Sequence, residues 1–254
     1  GTILDTTSGL DATKLSGTLP ALNGASLTGI AGRKNIIING AMNVAQRGTS
    51  VTGVTHGGGG YKTVDRYQMG VNNISGVFTI TQDTDAPDGF ASSTKWDCTT
   101  ADTSLAASDV MFINQQIEAQ DLQHLSYGTS GALQTTISFW VKSNKTGTYV
   151  VWFYQADDAR HVQAQYTIDT ADTWEKKTCV VPVDTTGVID NNNGAGLYIR
   201  FILGSGTSYT SGTAPTAWAA NVSANRYVGQ TVNIADSTAN YFNITGVQLE
   251  LGSV

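Results

Sequence analysis

The chain of 254 residues is poor in charge. Only 13% of its residues are Asp, Glu, Lys or Arg, about half of the usual quarter, and 14 Lys and Arg stand against 20 Asp and Glu. The net charge of −6 argues against a nucleic-acid-binding surface, which needs clustered Lys and Arg. No apolar run approaches the roughly 18 residues that span a bilayer. We therefore expect neither a nucleic-acid partner nor membrane insertion.

Residues that carry catalysis or hold metals are also scarce. Glutamate occurs only at positions 118, 175 and 250, and the histidines at 56, 124 and 161 show no metal-binding spacing. Cys98 and Cys179 lie far apart, with no further Cys or His at metal-ligand distance in the sequence. This pattern favours two small thiols over a single long-range disulfide, and it makes a zinc site improbable. We expect no metal and no cofactor.

The remaining acidic residues are typical of turns. Three pairs of aspartates are close in sequence: Asp83 and Asp85, Asp157 and Asp158, and Asp169 and Asp172. Paired carboxylates can hydrolyse glycosidic bonds, but these pairs lie in turn-like clusters, where Asp accepts hydrogen bonds from its own backbone. His56 precedes four glycines without the Lys and helix of a phosphate-binding loop, so that segment is interpreted as a flexible turn. The sequence therefore does not predict an enzyme.

The first 34 residues form a segment of their own. The stretch from Leu10 to Gly17 recurs from Leu22 to Gly29, with both leucines and the glycine in register. Each copy has too little apolar surface to form a core alone. It is therefore ordered by packing against copies of itself in other chains, or it is a flexible linker; we favour the first. We expect two parts, an extended interchain segment at 1–34 and a folded domain at 35–254.

From Asn35 onward the pattern changes to strands. In 133–141 apolar residues alternate with polar ones at period 2, the signature of a half-buried strand. Residues 109–124 can form one helix, or a strand over Val110–Ile117 followed by a helical turn at Ala119–Leu125, and we favour the strand. Further strands are predicted at 35–39, 76–81, 148–154, 161–168, 173–181, 195–203 and 241–249. This count predicts an all-β, antiparallel β-sandwich of unknown strand order.

Aromatic residues are the best candidates for ligand contact. Flat rings stack on the C–H faces of sugars while neighbouring amides and carboxylates bind the hydroxyls. Trp152 and Tyr154 share one strand face, although Trp152 also fits sheet packing. Tyr209 and Trp218 lie in a polar stretch at 204–225 that is typical of an extended loop. Further candidates, at a predicted loop tip, are Arg160 and His161.

Several motifs recur in order along 35–252. They are Asn35 to Thr49, Asp65-Arg66-Tyr67, Gln115 to Glu118, Ile137 to Ser143, Thr173-Trp174-Glu175 and Ile244 to Gly252. This ordered set resembles the C-terminal domain of bacteriophage tail fibres, and the repeat at 10–29 resembles the shaft segments before such tips. The resemblance implies a jelly-roll sandwich similar to carbohydrate-binding modules. It also implies that Arg47, Asp65 and Arg66 form a structural polar network, buried or half-buried.

The same resemblance implies a function. The chain would be a non-enzymatic, homotrimeric fibre tip that binds a bacterial surface polysaccharide and joins other virion tail proteins through its N-terminal side. Its location would be the virion tail, assembled in the host cytoplasm. Two alternatives stay open: a structural virion or appendage module without receptor contact, and a glycan depolymerase, against which the shortage of Glu pairs counts.

Overall fold

The computed structural model of the protein describes residues 35–252. The interpretation of residues 1–34 as an interchain shaft lies outside these residues. Within them the chain forms two antiparallel sheets connected by turns and short 3-10 helices, which confirms the predicted all-β sandwich. In this part of the chain no helix has the length and the apolar character that a membrane span requires.

Thirteen strands make up the described sandwich. They are β1 (Ser50–Val54), β2 (Gly60–Tyr61), β3 (Tyr67–Asn72), β4 (Val77–Asp83), β5 (Ser93–Thr100), β6 (Val110–Glu118), β7 (Thr135–Ser143), β8 (Gly147–Gln155), β9 (Arg160–Ile168), β10 (Glu175–Val181), β11 (Ala195–Ser205), β12 (Ala219–Ala220) and β13 (Tyr241–Leu251). Six of them pair in the order β1-β4-β5-β13-β7-β10, and the other seven in the order β12-β9-β8-β11-β6-β3-β2. Consecutive strands often lie in different sheets, so the chain crosses between the layers repeatedly.

The main core lies between the two sheets. In β7, Ile137, Phe139 and Val141 are fully buried, while Ser138 and Trp140 between them face outward. The ring of Phe139 packs edge-on against that of Phe201 from the opposite sheet, with centroids 4.9 Å apart. Such edge-to-face pairs add about 0.5–1.5 kcal/mol to the burial of apolar area. The period-2 pattern at 133–141 therefore arises because every second side chain of β7 is buried between the two sheets.

Most predicted strands are present. The favoured alternative at 109–124 is confirmed, since β6 ends at Glu118 and a 3-10 helix follows over Ala119–Leu125. The prediction of a strand at 35–39 is wrong. That segment runs beside β13, and the Ile36 amide donates to the Leu249 carbonyl. The neighbouring bonds use side chains: the Asn35 Oδ1 accepts from the Leu249 amide, and the Gln115 Oε1 accepts from the Ile38 amide. Side-chain acceptors therefore interrupt the backbone ladder that defines a strand.

The strand order also keeps the two cysteines too far apart to form a disulfide. Cys98 lies in β5 and Cys179 in β10, three strands apart in the six-stranded sheet. At about 4.8 Å per strand this is about 14 Å, twice the distance that a disulfide can bridge. Both thiols are free and buried, and burial raises the pKa of Cys179 to about 11. The prediction of two separate thiols is confirmed.

A second, smaller cluster lies on the outside of the seven-stranded sheet. It consists of Val110, Phe112, Val150, Trp152, Ile202 and Tyr227. Tyr227 comes from the long connection between β11 and β13, which includes the short strand β12 and is called the loop after β11 below. This loop crosses back over the sheet, where the Thr231 amide donates to the Thr148 carbonyl. The loop therefore covers one part of the sheet and leaves another part open.

Candidate functional site

The open part of the seven-stranded sheet is the candidate site, called the outer face below. Pairing of β6, β11 and β8 places Gln116, Tyr198 and Tyr154 side by side in one row. The next row contains Asn114, Arg200 and Trp152. Since residues two apart on a strand share a face, both rows point away from the main core.

Three aromatic rings lie together on the outer face. The rings of Trp152 and Tyr154 are stacked, with centroids 5.1 Å apart and an interplanar angle of 7°. The Tyr198 ring is tilted beside Tyr154 at 5.8 Å. Trp152 is buried, while Tyr154 and Tyr198 are half-buried. The prediction that Trp152 and Tyr154 share a face is confirmed, and the two tyrosines present aromatic surface to solvent.

Amide side chains form the floor next to the tyrosines. The Gln68 Oε1 accepts hydrogen bonds from the Asn114 Nδ2 at 3.2 Å and the Gln116 Nε2 at 3.1 Å. Asn114 is buried, while Gln68 and Gln116 are half-buried. Each amide carries donors and acceptors beyond those used here. The floor can therefore exchange hydrogen bonds with hydroxyl groups of a ligand.

Beyond Gln116 the outer face opens into a cleft of about 460 Å³. Its walls include Arg47, Tyr61, Asp65 and Glu118. The Arg47 Nη1 lies 2.9 Å from the Asp65 Oδ1, and its guanidinium lies over the Tyr61 ring at 5.8 Å. The volume falls within the range of small-molecule sites. Three motifs that are separate in the sequence meet at this cleft.

The polar network predicted for Arg47, Asp65 and Arg66 is present in part: Arg47 pairs with Asp65, and Asp65 and Arg66 are half-buried, but Arg47 is exposed. The Arg47 side chain is 55% exposed and the Asp65 side chain 13%. Arg66 also lines the cleft and has a positive φ of 73°, an uncommon conformation for a non-glycine residue. These residues shape an open surface rather than the core.

Two arginines border the aromatic cluster. The Arg200 guanidinium carbon lies 4.3 Å from the Phe112 ring centroid and 5.1 Å from that of Trp152. The Arg226 guanidinium carbon lies 5.7 Å from the Trp152 centroid and 5.9 Å from that of Tyr209. Both arginines are half-buried. They bring positive charge to a surface made mostly of rings and amides.

Of the residues predicted to contact a ligand, Tyr154 and Tyr209 are the ones that lie half-exposed on or beside the outer face. Trp152 and His161 are buried beneath it, where the Trp152 Nε1 donates to the His161 Nδ1 at 2.9 Å. Burial, and then the charge of Arg226, lowers the pKa of His161 to about 4. His161 is therefore neutral at pH 7 and holds the tryptophan ring in place.

Trp218 and Arg160 hold the loop after β11. The Trp218 Nε1 donates to the Pro182 carbonyl at 2.8 Å, and its ring packs edge-on against Tyr127. The Arg160 Nε lies 2.7 Å from the Asp184 Oδ2, and its Nη2 donates to the Trp218 carbonyl at 2.8 Å. Arg160 begins β9 and does not lie at a loop tip as predicted. Ligand contact by these residues stays a prediction.

Five residues of the outer face and its cleft are not among the residues predicted to contact a ligand: Tyr61, Gln68, Asn114, Tyr198 and Arg200. The alternation of β11 contains a signal for two of them. Leu197, Ile199 and Phe201 are buried in the main core, so Tyr198 and Arg200 must face the other way. Large polar residues on the outer positions of a strand are therefore the pattern by which such a face can be recognised.

The aspartate pairs have structural partners. The Asp83 Oδ1 accepts from the Asp85 amide at 3.0 Å, which confirms the turn interpretation for this pair. The Asp157 Oδ2 accepts from the Asp190 amide, and the Asp169 carboxylate pairs with Lys177. In residues 35–252 no group of three or more His, Cys, Asp or Glu is arranged to hold a metal. The arrangement on the outer face is suited to binding polar rings.

No family model and no curated protein matches the chain. Among solved structures, the chain is similar to a putative sugar-binding protein from Bacteroides thetaiotaomicron, at 13% identity over 86% of this chain and all of that one, with a TM-score of 0.49. TmCBM61 in complex with β-1,4-galactotriose matches at 6% identity over 86% of this chain and 99% of that one, with a TM-score of 0.39. The enzymatically active domain of bacteriophage CBA120 tailspike protein 4 matches at 12% identity over 86% of this chain, with a TM-score of 0.42, and the chain spans 21% of its length.

Proposed function

We propose that the protein is a non-enzymatic glycan-binding module and that the outer face is its binding site. The observation that carries this proposal is the placement of two half-buried tyrosines, Tyr154 and Tyr198, next to a floor of amides. A sugar ring has apolar C–H faces and polar hydroxyl edges. Rings that stack and amides that donate and accept hydrogen bonds meet both requirements.

The cleft extends this surface to a second contact point. Tyr61 pairs with Gln68 across β2 and β3, so its ring faces the same way as the amide floor. It is 41% exposed. A chain of several sugars then lies across the floor, with Tyr154 and Tyr198 on one side and Tyr61 on the other. Contacts at several sugar units suit a polysaccharide better than a monosaccharide.

At a finer level we propose that the module is the receptor-binding tip of a bacteriophage tail fibre. It adsorbs to a surface polysaccharide of a bacterium as a homotrimer, in the virion tail, and contacts other tail proteins through its N-terminal side. The ordered motifs from Asn35 to Gly252 and the repeat at 10–29 support this. Three weak sites on one particle raise the overall affinity without stronger single contacts.

Binding of the full chain to immobilised polysaccharides tests the coarser proposal. We expect Tyr154→Ala and Tyr198→Ala each to weaken binding about tenfold or more, since each removes a stacking surface. Trp174→Ala is the matched control, because Trp174 is half-buried and bonded to Asp85 away from the outer face. Equal loss in all three variants, or binding that no variant changes, contradicts the proposed site. Release of reducing ends favours a depolymerase instead.

Sedimentation equilibrium and adsorption to cells test the finer proposal. A homotrimer sediments at three times the 26.8 kDa of one chain. Deletion of residues 1–34 then weakens the assembly. A monomer contradicts the fibre-tip proposal and leaves a stand-alone glycan-binding module. Glycan binding without adsorption to any bacterium, in a chain that still forms trimers, favours a structural virion module.

A further inference from the structure

Positive charge is concentrated on the outer face although the whole chain is acidic. The net charge is −6, yet the outward positions of β6, β8, β9 and β11 include one carboxylate, Glu118. Glu118 lies at the end of β6 in the wall of the cleft, and the Gln120 Nε2 donates to its Oε2 at 2.9 Å. Arg200 lies at an outward position of β11, and Arg226 lies near the same Trp152 ring from the loop after β11. This distribution is the reverse of the overall composition.

Arg200 lies within this region without a carboxylate partner in residues 35–252. Its Nε donates to the Asn114 Oδ1 over 3.4 Å, and the hydroxyl of Tyr227 also contacts it. The remaining surroundings are the rings of Phe112, Trp152 and Tyr198. Rings stabilise a cation through their π-faces but accept few of its five N–H groups. Arg200 therefore keeps directional donors for a partner from outside.

Arg226 repeats this arrangement from the loop after β11, where it directly follows a 3-10 helix at Ser223–Asn225. Its Nε donates to the Asn221 Oδ1 at 2.9 Å, and no carboxylate in the described part of the chain pairs with it. By contrast, Arg47 pairs with Asp65 and Arg160 with Asp184. Partial burial makes an external partner more favourable, because removing a charge from water costs free energy. Arg66 is also half-buried without a carboxylate partner in the described residues, but Arg200 and Arg226 are the two that lie at the Trp152 ring.

We propose that the outer face selects acidic glycans and that Arg200 and Arg226 bind the carboxylate of a sugar acid. This rests on the proposed glycan-binding function and adds the class of sugar. A guanidinium matches a carboxylate with two parallel N–H···O bonds. The Arg200 guanidinium carbon lies 5.5 Å from the centroid of the Tyr198 ring. A sugar acid stacked on Tyr198 therefore brings its carboxylate to the arginine.

The experiment uses the full chain and matched pairs of polymers. Polygalacturonate, alginate, hyaluronan and polysialic acid are each compared with the same polymer after reduction of its carboxyl groups to alcohols. Galactan, xylan and dextran are included as neutral polymers. Reduction leaves the backbone and linkages in place and replaces each carboxylate with a neutral hydroxymethyl group. We expect at least one acidic polymer to bind and its reduced form to bind at least tenfold more weakly.

The arginine variants identify the groups responsible. Arg200→Gln and Arg226→Gln are each expected to lower affinity for the acidic polymer about tenfold and to leave the reduced form unchanged. Lys142→Gln is the control, because Lys142 lies in β7 of the other sheet and already has Asp85 as its partner. Arg200→Lys keeps the charge but loses the paired N–H geometry, so it is expected to restore only part of the affinity. Thermal unfolding of each variant separates loss of binding from loss of fold.

The outcomes distinguish this proposal from the one on which it rests. If the best ligand is neutral and its binding still needs Tyr154 and Tyr198, the outer face binds glycans and the acidic selectivity is wrong. The same conclusion follows if carboxyl reduction leaves the affinity unchanged. If no polymer binds, both proposals fail. A preference for acidic polymers that survives in both glutamine variants overturns the role of the two arginines.

Discussion

The indole nitrogen of Trp152 donates a hydrogen bond to the Nδ1 of His161 across β8 and β9, at 2.9 Å. This bond needs His161 in its neutral form, because a protonated imidazole donates from both nitrogens and cannot accept. It holds the buried ring on which Tyr154 is stacked. The integrity of the outer face therefore depends on the protonation state of one histidine beneath it.

Acid is expected to destabilise the protein through His161. Its pKa is lowered by burial to about 4 in the folded state, against about 6.5 when unfolded. Below pH 6.5 the unfolded chain takes up a proton that the folded chain does not, so stability falls by up to about 1.4 kcal/mol per pH unit down to pH 4. His161→Asn keeps an acceptor for Trp152 without titrating in this range.

Urea unfolding between pH 7 and pH 4 measures this effect. His161→Asn should show a shallower loss of stability than the original protein. His124→Gln is the control, because His124 is exposed in the 3-10 helix at Ala119–Leu125. If the two variants have the same pH dependence, His161 does not carry the effect.

The ion pair of Arg160 with Asp184 is expected to matter far more than surface pairs. The Asp184 side chain is 2% exposed and also accepts from the Gln155 Nε2 and the amides of Thr186 and Gly187. Burial alone would raise its pKa, but the hydrogen bonds from Arg160 and the two amides outweigh burial and lower it. Its contribution to stability is therefore present above pH 4 and is lost as the carboxylate is protonated below its ordinary pKa.

Asp184→Asn should lower the free energy of unfolding by about 3 kcal/mol, since it leaves Arg160 without a charged partner. Asp169→Asn is the control. Asp169 pairs with Lys177 but its side chain is 68% exposed, so its loss should cost less than about 1 kcal/mol. Urea unfolding at pH 7 compares the two. If both variants lose the same free energy of unfolding, the buried pair contributes no more to stability than the exposed one.

Trp218 is expected to contribute mainly to the stability of the fold. It is 6% exposed, bonded to Pro182 and packed on Tyr127. Trp218→Ala should cost about 3–5 kcal/mol, the range for large buried aromatic residues. Binding per folded molecule, measured well below the unfolding temperature, should be unchanged if the residue does not touch ligand. A stable variant that loses binding would instead support the prediction that Trp218 contacts glycan directly.

Gly40 is expected to tolerate no side chain. A Cβ at this position would lie 2.0 Å from the backbone oxygen of Val247, and the Gly40 carbonyl accepts from the Val247 amide at 3.0 Å. Gly40→Ala therefore forces the chain away from β13 and should cost about 2 kcal/mol or more. Gly131→Ala is the control, because the nearest atom is 3.7 Å away and no positive φ is required. A thermal midpoint shared by both variants would contradict this close approach.

Long alternating segments were the predictable part of the fold. The pattern at 133–141 places Ile137 and Phe139 on the core side, as the structure does. Short or polar strands gave no such signal: β5 has two apolar side chains, Trp96 and Cys98, in eight residues. The run of isoleucines at 35–39 is misleading for the opposite reason. Its β-branched residues favour extended backbone, but after the Ile36 amide, which bonds to β13, side-chain oxygens accept from the amides of Ile37 and Ile38.

The site was less predictable than the fold. Tyr154 was predicted because it shares a strand with Trp152, and one strand is visible in the sequence. Tyr61 joins the same surface only because β2 pairs with β3, and Gln68 meets Gln116 from 48 positions away. Pairing between distant segments depends on the register of several strands at once, and no local pattern records it.

The sequence by itself determined the class of fold. Period-2 alternation demands half-buried strands, because every second side chain must find apolar surroundings. Only the tertiary structure decided which aromatic residues reach the surface. Trp152 and Trp218 are covered and Tyr154 and Tyr198 are partly open, because the loop after β11 folds back over one part of the sheet and not over the other. That outcome depends on long-range packing, which a linear pattern does not contain.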